Sequence, residues 1–206
     1  MTENIIRLLA HSNSTANFFT FGGRKYVNNA LATADVLQRI KDVGLAVKNF
    51  EIKFKTPIKK QALIKFDLTE ITGNFVGTFF AENTQIWFAY IEDEGDLPVR
   101  NLTAEDVFIE TNLVTLCYYM ASRCHLYVLA HHDNLFGERT DGEKSIFTKF
   151  EILDVKPILE MLEGPMPPRF VMGVPELITG RKFKLDIFVN EKLIGHRYNI
   201  IKALNL

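Results

Sequence analysis

Along residues 48–93, apolar and polar side chains alternate with a period of two. Phe50, Ile52 and Phe54 are interleaved with Glu51, Lys53 and Lys55, and after Pro57 the residues Ala62, Ile64, Phe66 and Leu68 alternate with Lys65, Asp67 and Thr69. Successive side chains of a strand point to opposite faces, so the pattern predicts strands with one buried face. Thr72-Gly73-Asn74 predicts a turn, residues 75–81 the returning strand, and Ile86, Phe88 and Tyr90 against Trp87, Ala89 and Ile91 a further one. The same period returns over residues 181–190, where Phe183, Leu185, Ile187 and Val189 alternate with Lys182, Lys184, Asp186 and Phe188. A turn at Asn190-Glu191 then pairs this strand with residues 192–201, and residues 146–155 read as one more strand.

Helical spacing is rarer. Leu31, Ala34, Leu37 and Ile40 recur at intervals of three, with Gly44 placed to end a helix over residues 30–43. Residues 2–11 predict a short helix, and Pro157 opens another that runs to about residue 163. Thr103-Ala104-Glu105-Asp106 has the form of a capping box, and Gly164-Pro165-Met166-Pro167-Pro168 that of a rigid connector. Residues 107–132 mix two signals. Leu113, Leu116, Cys117, Met120 and Cys124 predict a helix over 112–123, while the β-formers in 125–130 predict a buried strand after it. The expected class is α+β: a predominantly antiparallel sheet, with a barrel-like variant, and a few short helices.

Composition narrows the function classes. The chain has 206 residues, 47% hydrophobic and 24% charged, with 17 Phe and a single Trp, an ordinary balance for a folded domain. It reads as one domain over 1–206, with two packed lobes, 1–95 and 102–206, as the alternative; the acidic loop at residues 92–101 would be the hinge. Two cysteines, Cys117 and Cys124, are too few for a disulfide framework and fit buried small hydrophobes in a reducing compartment. No apolar stretch approaches the ~20 residues that span a bilayer, and nothing at the start resembles a signal peptide, so a cytoplasmic protein with no membrane partner is expected.

The net charge of −1 conceals a segregation: residues 1–60 carry +6, residues 61–163 carry −11 and residues 164–206 carry +4. Two basic ends flanking an acidic middle point to a polyanion-binding surface, unless the ends fold back and neutralise the middle. Nucleophile elbows, phosphate-binding loops and dinucleotide fingerprints are absent, and no cofactor is implied. His131-His132-Asp133, with His125 nearby, is the one cluster that could serve a metal-dependent hydrolase. Cations interleaved with rings are more widespread. They comprise Arg24, Lys25 and Tyr26; Lys53, Lys55, Lys59 and Lys60; Arg181, Lys182 and Lys184; and Arg197 with Tyr198. Lys and Arg neutralise phosphates and flat rings stack on bases, and no basic helix is available to enter a major groove, so the pattern favours single strands.

In these residues the chain resembles the single-stranded DNA-binding proteins of bacteriophages, including those that assist a phage RNA polymerase. The resemblance implies an accessory factor for transcription or replication in the host cytoplasm, without catalytic activity. Single-stranded nucleic acid would be its partner, with RNA polymerase or another protein docking on the acidic middle. The chain departs from that group in lacking an acidic tail: it ends Lys202-Ala203-Leu204-Asn205-Leu206. The alternative expectation is a viral structural or assembly protein.

Overall fold

The computed structural model describes residues 1–20, 23–100, 112–137, 143–164 and 169–203. The expected capping box at 103–106 and four of the five residues of the proline connector lie outside them. Helix α1 (Glu3–Ala10) and strand β1 (Ser14–Thr15) precede α2 (Asn29–Asp42). Four strands follow: β2 (Val47–Phe54), β3 (Ala62–Asp67), β4 (Phe75–Ala81) and β5 (Thr84–Glu92). Then come α3 (Leu113–Ala130), α4 (His132–Phe136), β6 (Glu143–Asp154) and α5 (Lys156–Glu160). Strands β7 (Val171–Met172), β8 (Glu176–Thr179), β9 (Lys182–Val189) and β10 (Lys192–Ala203) complete the order.

The strands form one antiparallel sheet in the order β1-β3-β5-β4-β2-β6-β10-β9-β7, with β8 also paired to β9. The fold is therefore α+β and antiparallel, as expected, but the sheet is open at both ends and not closed into a barrel. Its middle is the β2–β6 seam, where Glu51 lies opposite Glu151. A hairpin flanks the seam on each side: β4–β5 beside β2, and β9–β10 beside β6.

Local chemistry accounts for the elements. Phe50 and Ile52 are fully buried while Lys53 between β2's neighbours stays exposed, which is the alternation read from the sequence. Both hairpins turn on two residues with positive φ, Glu82-Asn83 and Asn190-Glu191, the twist that suits a tight antiparallel connection. Asn28 caps α2 by accepting a 2.9 Å hydrogen bond from the Ala30 amide. At its other end Gly44 takes φ 70°, and the Leu45 amide reaches back to the Ile40 carbonyl.

The expected break within residues 107–132 is corrected. α3 is one continuous helix of 18 residues, and residues 125–130 belong to it rather than to a strand. Cys117, Met120, Cys124 and Val128 are all buried, a stripe at helical spacing that runs through the predicted boundary. Tertiary packing of that stripe outweighs the strand preference of residues 125–130. Helices α2 and α3 pack side by side on one face of the sheet, over a core that includes the rings of Phe50, Phe79 and Phe88. Phe50 stacks on Phe88 with centroids 5.5 Å apart.

The opposite face of the sheet carries charges of alternating sign across the seam. Lys149 bridges Glu51, at 3.0 Å, and Glu151, while Lys53 reaches Glu51 at 2.6 Å. Burial pushes the Glu51 carboxyl up, but the hydrogen bonds and charges of Lys53 and Lys149 outweigh it and hold the group below the usual range. A carboxyl lowered in the folded state stabilises the fold above its ordinary range, and that contribution is lost as the pH falls through it. Glu51→Gln is therefore expected to cost about 1–2 kcal/mol at pH 7. The gap to the parent should close on acidification below the ordinary glutamate range. Denaturant melts of both proteins across that range check this, and a gap independent of pH would refute it.

Candidate functional site

Strand β6 carries an extra residue opposite β10. Lys149 pairs with Tyr198 and Phe147 with Asn199, so Thr148 has no partner position and its hydroxyl donates to the Tyr198 carbonyl at 3.1 Å. A bulge of this kind shifts the parity of the strand. Phe147 and Phe150, three apart, consequently both face the helices. Asn29, at the start of α2, fixes the bulge by donating from Nδ2 to the Phe147 carbonyl at 3.3 Å.

On β10, residues 197 and 199 point to the same, helix-covered face. Arg197 is 5% exposed and Asn199 1%. Arg197 Nε donates to Asn199 Oδ1 at 3.0 Å, and Nη1 donates to the Ala121 carbonyl of α3 at 2.6 Å. The guanidinium lies over the Phe147 ring, 4.3 Å from its centroid. Asn199 Nδ2 donates in turn to Ser145 Oγ at 2.8 Å. Among the described residues no carboxylate is paired with Arg197. Burial pulls its pKa below the ordinary guanidinium value.

Arg197 lines a cleft between the two long helices and the sheet. Ala30 and Thr33 of α2 form one wall, Cys117, Met120, Ala121 and Cys124 of α3 the other, and Phe147, Phe150 and Ile187 the floor. The cleft encloses about 310 Å³ only with its open mouth included, and its enclosed interior is far smaller. It is therefore a narrow slot. Burial pushes the Cys117 thiol up to about 12 and raises Cys124 as well, the latter against the opposing pull of Arg197. Neither thiol supplies a thiolate at neutral pH.

A second buried polar cluster ties α2 to the sheet. Asp35 Oδ2 accepts from Arg39 Nε at 2.9 Å and lies 3.0 Å from the Tyr90 hydroxyl, which also reaches the Ala32 carbonyl. The Asn17 amide donates to Asp35 Oδ1, and Arg39 Nη1 donates to Ser14 Oγ. Every one of these groups has a partner, and none lines the cleft.

The expected nucleic-acid surface is not assembled. Arg24, Lys25 and Tyr26 lie in an exposed turn before α2. Lys53 is paired to Glu51, and Lys55 is exposed at the end of the β2 segment. The backbone amides of Lys59 and Lys60 both donate to Glu92. Arg181 and Lys182 sit at the exposed β8–β9 turn, and Lys184 is paired to Glu176 at 2.9 Å. β2 and β9 are three strand spacings apart, roughly 14 Å. Arg197 and Tyr198 are adjacent in sequence but point to opposite faces. The Tyr198 hydroxyl donates to Glu151 at 2.7 Å, and its ring is covered by Lys149 at 4.4 Å.

Among the described residues the histidine cluster is not joined into a metal-ligand group. His131 ends α3 with Nδ1 2.9 Å from the Tyr127 carbonyl, and His132 is buried against Phe136 with Nδ1 3.3 Å from Asp133. Among the described residues no three His, Cys, Asp or Glu side chains are grouped to hold a metal. No helix among them is long and apolar enough to cross a membrane.

No protein-family model and no curated protein matches the chain. Among the solved structures similar in chain path are two thioesterases. One is an acyl-CoA thioesterase II from Mycobacterium marinum, with TM-score 0.45 and 7% identity over 86% of this chain and 90% of that one. The other is an acyl-ACP thioesterase from Bacteroides thetaiotaomicron, with TM-score 0.39 and 7% identity over 86% of this chain and 91% of that one. Neither name is that of a non-catalytic, DNA-binding or viral protein, which was the expectation. The cations meant for phosphates are scattered, paired or buried, which corrects the expected nucleic-acid surface.

Proposed function

We propose that this protein binds the hydrocarbon chain of a small amphipathic molecule in the slot between α2 and α3. The observation that carries the reading is the slot's lining. Ala30, Thr33, Cys117, Ala121 and Cys124 are all small, and they leave a gap where core side chains ordinarily interdigitate. Its enclosed interior is small, and most of the 310 Å³ belongs to the open mouth, so an entering chain has to displace the wall. The narrow interior suits a single methylene chain and excludes rings. Met120 is the adjustable wall: three rotatable bonds let it yield as a chain enters.

Decanol is the simplest probe. At about 100 times its dissociation constant it is expected to stabilise the fold by about 2.7 kcal/mol, read as a rise in melting temperature. Ala30→Leu fills the slot from the α2 wall and should abolish that rise. Equal shifts in parent and variant, or none in either, would remove the proposal. Thioesterases act on acyl groups, so a decanoyl thioester belongs in the same titration, with thiol release as the sign of turnover.

A further inference from the structure

Resting on that reading, the geometry points to the charge of the occupant: we infer that the molecule in the slot carries an ionised acid group, a carboxylate of the fatty-acid type, which completes the coordination of Arg197. Arg197 is a cation held at 5% exposure on the slot's wall. Taking a charge out of water is costly unless a counter-charge accompanies it. Elsewhere in the described structure that condition is met: Arg39 has Asp35, and Lys149 has Glu51 and Glu151.

At Arg197 the position of a counter-ion is filled, but by an amide. Asn199 Oδ1 accepts from Nε where an aspartate oxygen would sit, and the other polar partners, the Ala121 carbonyl and the Cys124 thiol, are neutral. Nη1 and Nε are thus oriented while no carboxylate among the described residues compensates the positive charge. Asn199 is itself held by its bond to Ser145, so the guanidinium plane is fixed before any ligand arrives. A hydroxyl can rotate to donate as readily as it accepts, so an aspartate at 199 would also be satisfied by Ser145. Local hydrogen bonding therefore does not require the amide. An amide at 199 orients the cation and leaves its charge to the occupant, whose alkyl chain runs along Phe147, Phe150 and Ile187.

The test compares two probes that share a ten-carbon chain, decanoate and decanol, by calorimetric titration of the full chain. Decanoate is expected to bind about 10-fold or more tighter than decanol, the margin of a hydrogen bond to a charged group. In Asn199→Asp the site becomes internally neutral. Decanoate should fall to the level of decanol, decanol should change less than about 2-fold, and the variant should melt no lower than the parent. Arg197→Met is the second variant, for use where N199D does not fold, and it should erase the same margin. Equal binding of both probes by the parent overturns the inference and leaves the slot reading standing. Binding of neither overturns both. A margin that survives N199D removes the role of Asn199.

Discussion

Gly77→Ala is expected to prevent the chain from reaching its native sheet, or to leave it at least about 3 kcal/mol less stable. Gly77 is on β4, opposite Ile52 of β2 on one side and Phe88 of β5 on the other. A Cβ there would fall on the Glu51 carbonyl oxygen and inside the Phe88 ring. Neither neighbour can retreat. The carbonyl belongs to β2, a strand of the seam itself, and the ring is fully buried between Phe50 and Phe79. Total stability of a domain is about 5–15 kcal/mol, so the loss is a large share of it. Circular dichroism and a denaturant melt of the variant measure the effect. A parent-like midpoint would mean that β2 and β4 can move apart in a way their register does not allow. Gly195 holds the corresponding place on β10, where a Cβ would meet the Glu151 carbonyl of β6. The two glycines sit on either side of the seam and keep the flanking hairpins close to it.

Much of this architecture was legible in the sequence, for a physical reason. A strand with one wet and one dry face writes its geometry into every second residue, and β2, β3 and β9 do so plainly. Helix α2 is equally plain, because its buried stripe and its terminal glycine agree. Helix α3 was only half legible. Its stripe of Cys117, Met120, Cys124 and Val128 ran on past residue 123, but the dense β-formers around it carried the opposite signal. The site was less legible still. On β10 both alternating sets contain polar residues, Arg197 and Asn199 in one, His196 and Tyr198 in the other, so the sequence does not say which set is buried. Arg197 was singled out, but as a surface cation. The bulge at Thr148, which turns Phe147 toward the helices, leaves no trace in the pattern of residues 143–154. Charge was the least transferable signal. The segments do meet, but not as a basic surface: Lys192 of the last lies 3.6 Å from Asp154 of the middle, Tyr198 of the last reaches Glu151, and Lys149 of the middle reaches Glu51 of the first, which also holds Lys53 of its own segment.

Asp35→Ala is expected to cost about 3–5 kcal/mol, because it removes one member of a buried ion pair and leaves the other without a counter-charge. Arg39 has a side chain only 12% exposed, and its remaining bonds, to Ser14 Oγ and the Thr15 carbonyl, supply no negative charge. The Tyr90 hydroxyl has one proton to share between the Ala32 carbonyl and Asp35, so it keeps a partner when the carboxylate goes. Burial and the Asp35 charge hold that hydroxyl well above its ordinary pKa, so it stays protonated in either protein. The loss should therefore fall on Arg39, and this separates two accounts of the same number. If the cost is an orphaned cation, the double variant Asp35→Ala with Arg39→Met should be more stable than Asp35→Ala alone. If it is only lost packing between α2 and the sheet, the second substitution should add its own penalty to the first. A denaturant double-mutant cycle at pH 7 distinguishes the two, and simple additivity would exclude the electrostatic account. The contrast with Arg197 makes the cycle informative beyond this pair. One arginine, half-buried, has its carboxylate within the fold and should be destabilised by losing it; the other, buried, has an amide in that place and should tolerate the gain of a charge.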